Sequence, residues 1–203
     1  MYPLMIRGFM HGKRYLVRIA NSDSIPVSHY SDVRERIRSA LEVPGCTLNS
    51  SRISGSAVEI DFFVPGDEEG ERAVRLLSRI DRVLTVSVLS DQAVDTGSIH
   101  ETLELARQLF NEERFWEVHE TVEGIWRRAA GNERNVQQGI ILYAAAFVHY
   151  QKNEHDTTLG MLKRAIEKMN WPQDKYHCFD LRLMKRRALT MIESGKIEPF
   201  RLP

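Results

Sequence analysis

The chain has 203 residues, of which 42% are hydrophobic and 28% charged, and its 28 Lys and Arg residues balance its 28 Asp and Glu residues. This balance leaves no overall field to attract nucleic acid or anionic lipid, so binding that depends on net charge is excluded. The hydrophobic fraction is sufficient for folded cores, and the length indicates one or two domains.

Cysteine usage and hydropathy bear on the compartment. Cys46 and Cys178 lie far apart and neither belongs to a C-x-x-C pair. This pattern disfavours a disulfide framework or a cysteine-based zinc site and favours a reducing compartment. No apolar run reaches the ~18 residues needed to cross a bilayer, and the N-terminus lacks the hydrophobic stretch of a signal peptide. We therefore expect a cytoplasmic protein that does not contact membranes.

The first half of the chain alternates short β-favouring runs with two amphipathic segments. The β-favouring runs are LMIRGF, RYLVRIA, CTLNSSRIS, AVEIDFFVP and RVLTVSVLS. Helical spacing appears in SHYSDVRERIRSALEVPG and in DEEGERAVRLLSRI, whose first-turn acids favour the positive end of the helix dipole. The order β-β-α-β-β-α-β predicts a ferredoxin-like α/β sandwich, which is a split βαβ unit preceded by one extra strand.

The apolar period changes at the polar segment 91–97. Beyond it, helical spacing continues almost to the end of the chain. We predict five helices, at about 98–112, 113–130, 133–153, 156–169 and 178–194. Ser98 and Glu101 form a capping-box pattern at the start of the first helix, and Gly195 is placed to end the fifth.

These patterns predict an α+β two-domain protein. The ferredoxin-like domain covers 1–92, and an all-α helical bundle covers 98–203. Within the bundle, ELARQLFNEERFWEVHETVEGIW and YAAAFVHYQKNEHDTTLGMLKRAI each have the layout helix, polar turn, helix. This internal echo is typical of helical-hairpin repeats, although its offset exceeds the roughly 34 residues of a tetratricopeptide repeat. It keeps a protein-interaction module as an alternative function.

One stretch, RFWEVHETVEGIWRR, carries polar and aromatic side chains where a core helix would carry Leu, Ile or Val. Trp116, His119, Glu120, Glu123 and Trp126 share one flank, because residues three and four apart are neighbours on a helix. Metal sites in helical bundles use such imidazoles and carboxylates, but a di-iron centre needs a second similar motif. This chain lacks one, and His149 of the next helix is expected about five residues off the level of His119, roughly 7.5 Å along the axis. We therefore predict no metal ligands and no cofactor.

Two interpretations of this flank have equal support from the sequence. In the first, its side chains and those of the next helix line a pocket for a small molecule or an anion. In the second, they form an internal ion-pair network, although well-packed apolar residues would stabilise the bundle as well. We predict the pocket, with these ligand-binding residues: Trp116, His119, Glu120, Glu123, Arg127, Arg134, Gln138 and His149.

The same residues carry a family resemblance. The helical half resembles a prokaryotic family catalogued as domain of unknown function 309, whose hallmark is the phrase F-W-E-x-H-E-x-x-E-x-x-W, then an Arg, a Q-G pair and a distant His. The phrase falls here on Phe115, Trp116, Glu117, His119, Glu120, Glu123, Trp126, Arg134, Gln138, Gly139 and His149. The chain departs from typical members at Val122 and in the segment TTLG. The resemblance implies a compact all-α domain and assigns it no activity.

Enzymatic activity is undecided at this level. No nucleophile, base and orienting residue can be identified together, and a metal-dependent hydrolase using Glu120 or Glu123 as its base is the least favoured alternative. The partners compatible with the sequence are a small-molecule or anion ligand and a second copy of the chain, as a homodimer. Neither nucleic acid nor a membrane is expected as a partner.

Overall fold

The computed structural model of the protein describes residues 12–89 and 97–203. The extra strand predicted ahead of the ferredoxin-like unit lies outside these ranges. The chain separates into two compact units, Met1–Asp91 and Gln92–Pro203, and the division falls in the polar segment that the sequence singled out. A mixed α+β unit is followed by a helical one, which confirms the predicted fold class.

The described part of the N-terminal unit contains four strands and two α-helices. They are β1 (Lys13–Ala20), α1 (Tyr30–Ala40), β2 (Thr47–Ile53), β3 (Ala57–Val64), α2 (Asp67–Leu77) and β4 (Val83–Leu89). The strands form an antiparallel sheet in the order β2-β3-β1-β4, as the split βαβ arrangement requires. β1 is central, since it pairs with β3 along its whole length and with β4 from Arg14 to Ile19.

Alternation along the strands gives the sheet one apolar face. There Val17, Ile60 and Phe62 are buried together with Ile37 of α1 and Leu77 of α2. Full burial of an aliphatic or aromatic side chain of this size contributes about 1.5–3 kcal/mol. This apolar layer therefore holds the two helices on the sheet.

The opposite sheet face carries ion pairs that the sequence analysis did not predict. Glu59 of β3 lies between its cross-strand neighbours, 2.8 Å from Arg52 Nε and 3.6 Å from Arg18 Nε. Arg14 binds the Asp61 carboxylate through two guanidinium nitrogens at 2.9 and 2.6 Å. Both carboxylates are almost completely buried, and buried charges persist only when they are paired. The pairs thus favour one register of β1, β2 and β3.

The helical unit confirms the five predicted helices. They are α3 (Ile99–Asn111), α4 (Phe115–Trp126), α5 (Gly131–Tyr150), α6 (His155–Lys168) and α7 (Leu181–Ser194). α4 ends short of the predicted residue 130, and α5 begins at Gly131 instead of residue 133. A hairpin of two-residue strands, Lys175–Tyr176 and Phe179–Asp180, lies between α6 and α7. Strands this short leave no alternating pattern for sequence analysis to find.

The predicted helix ends at Ser98 and Gly195 are confirmed. The Glu101 amide donates to the Ser98 hydroxyl at 3.3 Å, and the Ser98 amide donates to the Glu101 carboxylate at 3.0 Å. The Ser98 amide and, at 2.8 Å, the Ser98 hydroxyl both donate to the Glu101 carboxylate, which stabilises its ionised form and lowers the pKa of Glu101. Gly195 has a left-handed backbone with φ 68°, and its amide donates to the Met191 carbonyl, which closes α7.

The internal echo in the sequence corresponds to two helical hairpins with the same turn. α3 leads into α4 through Glu113, and α5 leads into α6 through Asn153; their φ angles are 58° and 60°. In each turn, the next amide donates to a carbonyl five residues back, at 2.9 Å for Arg114 and 3.0 Å for Glu154. This is the bond of a Schellman motif, which satisfies carbonyls at a helix end.

Aromatic side chains fill the centre of the helical unit. Phe115 of α4 stacks on Phe147 of α5 with ring centroids 4.7 Å apart. Phe110 of α3 meets both rings edge-on, at 5.2 and 6.0 Å. Phe200, in the C-terminal segment, lies edge-on to Phe110 at 5.5 Å. Edge-on and stacked contacts of this kind contribute about 0.5–1.5 kcal/mol each beyond the area that they bury.

Candidate functional site

The two sides of α4 carry different chemistry. Phe115, Val118, Val122 and Ile125 are buried in the hydrophobic core of the helical unit. Their spacing of three and four residues places them on one side of the helix. The polar flank that the sequence singled out therefore lies on the other side, where solvent can reach it.

His119, Glu120 and Glu123 converge on this flank. His119 Nδ1 lies 3.2 Å from Glu120 Oε1 and 3.9 Å from Glu123 Oε2. One ligand atom from each residue lies within 4.8 Å of the other two, and no other group of three such side chains occurs in the described ranges. The side chains retain 32%, 49% and 28% exposure in chain order. We call these three residues the donor cluster.

The donor cluster has the dimensions of an incomplete metal site. Zinc lies roughly 2.0–2.2 Å from nitrogen and oxygen ligands, which places tetrahedral ligands about 3.4 Å apart. The two distances from His119 Nδ1, 3.2 and 3.9 Å, bracket this value. Small rotations of three partly exposed side chains would therefore bring the donors around one ion.

Arg127 contacts the donor cluster through Glu123. Its Nη2 donates to Glu123 Oε1 at 3.1 Å, one helical turn away, and its side chain is 65% exposed. An exposed pair of this type contributes about 0.3–0.5 kcal/mol. A bound ligand could therefore displace Arg127 from Glu123 at little energetic cost.

Trp116 lies on α4 one turn before the donor cluster and is partly buried.

Arg134 closes the end of α4 instead of joining the donor cluster. Its Nη1 donates to the carbonyl oxygens of Trp126 and Ala129 at 3.4 and 3.3 Å. Its guanidinium also lies over the Trp126 ring, 4.1 Å from the centroid. A cation at a helix C-terminus satisfies the last carbonyls and complements the dipole. Arg134 therefore has a structural role that accounts for its position.

His149 lies in the last turn of α5, where its Nδ1 contacts the carboxylate of Glu154 across the turn to α6. Arg134 is near the other end of the same helix, about 22 Å away at a rise of 1.5 Å per residue. A single small molecule cannot contact both. Gln138, one turn after Arg134, is partly buried on α5. The eight predicted residues thus occupy several places, and three of them form the donor cluster.

Sequence reasoning chose Gln138 and missed its neighbour Gln137. The Gln137 side chain is completely buried, and its Nε2 donates to the Tyr176 hydroxyl at 2.8 Å. Burial raises the pKa of Tyr176 above its ordinary value. Helical spacing predicts the burial of Gln137, because this residue precedes the buried Ile140 and Ala144 by three and seven residues and so lies on the core-facing side of α5.

Comparison with known proteins bears on the helical unit. The model of the family described as Domain of unknown function (DUF309) matches residues 100–161. This segment is therefore similar to that family. The match runs from α3 into α6 and contains the donor cluster, which confirms the resemblance drawn from the phrase. No curated protein matches the chain. Because the family description names no activity, function has to be argued from the site.

Helix packing explains the glycine of the Q-G pair, Gly139. A Cβ on Gly139 would lie 2.6 Å from Met169 Cγ and 3.0 Å from the Ala165 carbonyl oxygen. Both contacts are to α6 or to the residue that ends it, so the absence of a side chain at Gly139 allows the close approach of α5 to α6.

Among the residues that the structure describes, no helix combines the length and the hydrophobicity needed to cross a membrane.

Proposed function

We propose that the helical unit binds a small ligand on the polar flank of α4, and that this ligand is a divalent cation or a molecule that coordinates one. The convergence of the donor cluster, with its ligand atoms within 4.8 Å of one another, carries the proposal. One imidazole and two carboxylates suit Mn²⁺ or Zn²⁺. Three protein donors leave coordination positions for water or for a donor atom of a small molecule.

A bare anion fits the donor cluster less well than a cation. Glu120 and Glu123 bring two carboxylates to the cluster, and Arg127 pairs with Glu123. The other cation predicted for an anion pocket, Arg134, is engaged with carbonyl oxygens and the Trp126 ring. The charge at the cluster therefore favours a positively charged ligand.

Exposure supports a ligand site over the two alternatives. A protein-interaction module would use the flank as internal packing, but His119 and Glu123 keep 32% and 28% of their side chains exposed. An internal ion-pair network would stabilise the fold appreciably only if it were buried, because exposed pairs contribute at most about 1 kcal/mol to stability. The side chains are instead accessible to an ion that diffuses in from solvent.

The test is isothermal titration calorimetry of the full chain with Mn²⁺ and, separately, with Zn²⁺. We expect one binding event, whose affinity His119→Gln and Glu123→Gln each lower by more than about tenfold. Substituting residues that only hydrogen-bond to a metal ligand already lowers metal affinity by roughly 10–100-fold. His149→Gln is the matched control. It removes the same imidazole from a contact with the Glu154 carboxylate, away from the donor cluster, and should bind the ion as the wild type does.

Equal binding by the wild type and by His119→Gln would refute the proposal. The free energy of unfolding, measured without metal, shows whether Glu123 also contributes to the stability of the fold. Because Arg127 is largely exposed, Glu123→Gln should change the free energy of unfolding by only about 0.3–0.5 kcal/mol. A loss of roughly 3–5 kcal/mol would instead indicate a buried pair and favour the ion-pair network.

A further inference from the structure

A cleft opens in the N-terminal unit where β1 leads into α1. Its volume is about 350 Å³, within the range of roughly 300–1,000 Å³ that small-molecule sites occupy. The loop after β1 contributes Asp23, Ile25 and Pro26 to the lining, and α1 contributes Asp32, Val33 and Arg36. The cleft is distinct from the donor cluster, because all of these residues belong to the first compact unit.

The cleft has an apolar floor. A recess of about 30 Å³ shares Asp23, Ile25, Val33 and Arg36 with the cleft, and its other lining residues include Asn21, Asp81, Ile19, Ile37 and Val58. The last three residues belong to the buried core between the sheet and its helices. A ligand with a short aliphatic group could therefore cover the apolar side chains of Ile25 and Val33, which the cleft and the recess share, while its polar atoms stay at the rim.

The loop that forms one wall is held at both ends by side chains. Asn21 is buried; its Oδ1 accepts from the Ile25 amide at 2.8 Å, and its Nδ2 donates to the Ile25 and Ser54 carbonyls at 3.0 and 2.9 Å. The Ser22 amide and hydroxyl both donate to the Asp81 carboxylate at 2.9 Å. The wall is thus preformed, which reduces the ordering that a ligand would have to impose.

Ser24 in this loop has a left-handed backbone, with φ 52°. That conformation is unfavourable for a residue with a Cβ and persists only where the surrounding structure imposes it. The Ser24 amide donates to the Asn21 carbonyl at 3.0 Å, so the same asparagine holds both sides of the bend. The Asn21 contacts thus hold Ser24 in this strained conformation.

Two carboxylates and one guanidinium line the cleft. Asp23, Asp32 and Arg36 are exposed, and none of their side chains makes an ion pair or hydrogen bond within the described residues. We propose that the cleft binds a small zwitterion with an apolar side chain, the chemical class of an aliphatic amino acid. Its ammonium group contacts the two aspartates and its carboxylate contacts Arg36. Its side chain covers Ile25 and Val33.

Leucine and two analogues test the proposal. Isoamylamine is leucine without the carboxylate, and 4-methylpentanoate is leucine without the ammonium group. Each is titrated into the ¹⁵N-labelled full chain, and amide shifts are followed by NMR. We expect leucine to cause saturable shifts at Ser24, Ile25 and Val33. Each analogue should bind about tenfold more weakly or worse, because it loses one charge-assisted contact.

Substitutions on α1 test whether Asp32 and Arg36 contact the charged groups of leucine. Asp32→Asn and Arg36→Gln should each weaken leucine binding by about tenfold. Asp156→Asn and Arg164→Gln are the matched controls, since both residues are exposed on α6 and Asp156, like Asp32, lies in a first helical turn. The controls should bind as the wild type does, and unchanged spectra away from the cleft verify folding.

Three results would overturn the assignment. The first is the absence of saturable leucine shifts around the cleft. The second is equal affinity for leucine and isoamylamine, which would mark a site for ammonium compounds that does not use Arg36. The third is an equal loss in the α1 variants and in the α6 controls, which would show that the effect is non-specific.

Discussion

Replacing Gly139 by alanine tests the close packing of α5 on α6. Alanine is favoured over glycine inside a helix by about 0.8–1.0 kcal/mol, so helix propensity alone predicts a more stable protein. The added Cβ, however, would lie 2.6 Å from Met169 Cγ and 3.0 Å from the Ala165 carbonyl oxygen. The methionine side chain can rotate, but the carbonyl belongs to the backbone of α6. The two helices must therefore move apart.

The magnitude follows from these opposing effects. Overpacking of a core typically destabilises a protein by about 1–3 kcal/mol, and the gain in helix propensity offsets part of that loss. We expect Gly139→Ala to lower the free energy of unfolding by up to about 2 kcal/mol. Chemical denaturation followed by far-ultraviolet circular dichroism reports the transition of the helical unit, which dominates that signal.

Gly124 in α4 and Gly160 in α6 supply the controls. Neither would place an added Cβ within 4 Å of another group, so alanine should stabilise each helix by about 0.5–1 kcal/mol. If Gly139→Ala were as stabilising as Gly160→Ala, the helices would not be in the close contact described. The packing explanation for the Q-G pair would then be wrong.

Three further predictions concern local features. Glu113→Gly should stabilise the protein by about 0.4–1 kcal/mol because glycine tolerates the left-handed turn, whereas Asn153→Gly should change little, since asparagine already does; equal effects in denaturation would contradict this. The buried Trp126 Nε1 has no acceptor among the described residues. Leaving such a donor unpaired costs about 1–3 kcal/mol, so Trp126→Phe should be nearly neutral in the same assay, and a large loss would reveal a bonded indole. Limited proteolysis should cut within 91–97 and leave a stable fragment near 12 kDa, half of the 23.5 kDa chain; its absence would argue against independently folding halves.

Features determined by neighbouring residues could be predicted from the sequence. The capping box at Ser98 and the left-handed end at Gly195 each depend on a few adjacent positions. The polar flank of α4 follows from helical periodicity alone. Arg134 and His149 show the limit of this approach. Periodicity indicates which side of a helix a residue occupies, but how far a residue lies from a neighbouring helix depends on turns and crossing angles that it does not specify.

The sheet shows a related limit. Alternation along β3 separates Ile60 and Phe62 from Glu59 and Asp61, so both faces could be predicted. A polar strand face normally indicates solvent, yet both carboxylates are buried. Their arginine partners lie on other strands and become identifiable only when the register places Arg18 and Arg52 opposite Glu59. Register is a long-range property, and a shift of one residue would exchange the faces.

The stability of α4 and the chemistry of its polar flank depend on separate interactions. Val118 and Val122 are completely buried, and each contributes about 1.5–3 kcal/mol by burial. An exposed ion pair such as that of Glu123 with Arg127 contributes about 0.3–0.5 kcal/mol. Folding therefore requires the buried side and is nearly indifferent to the other. Stability gives no reason to place an imidazole and two carboxylates within 4.8 Å of one another, because like charges brought together repel unless a cation lies between them.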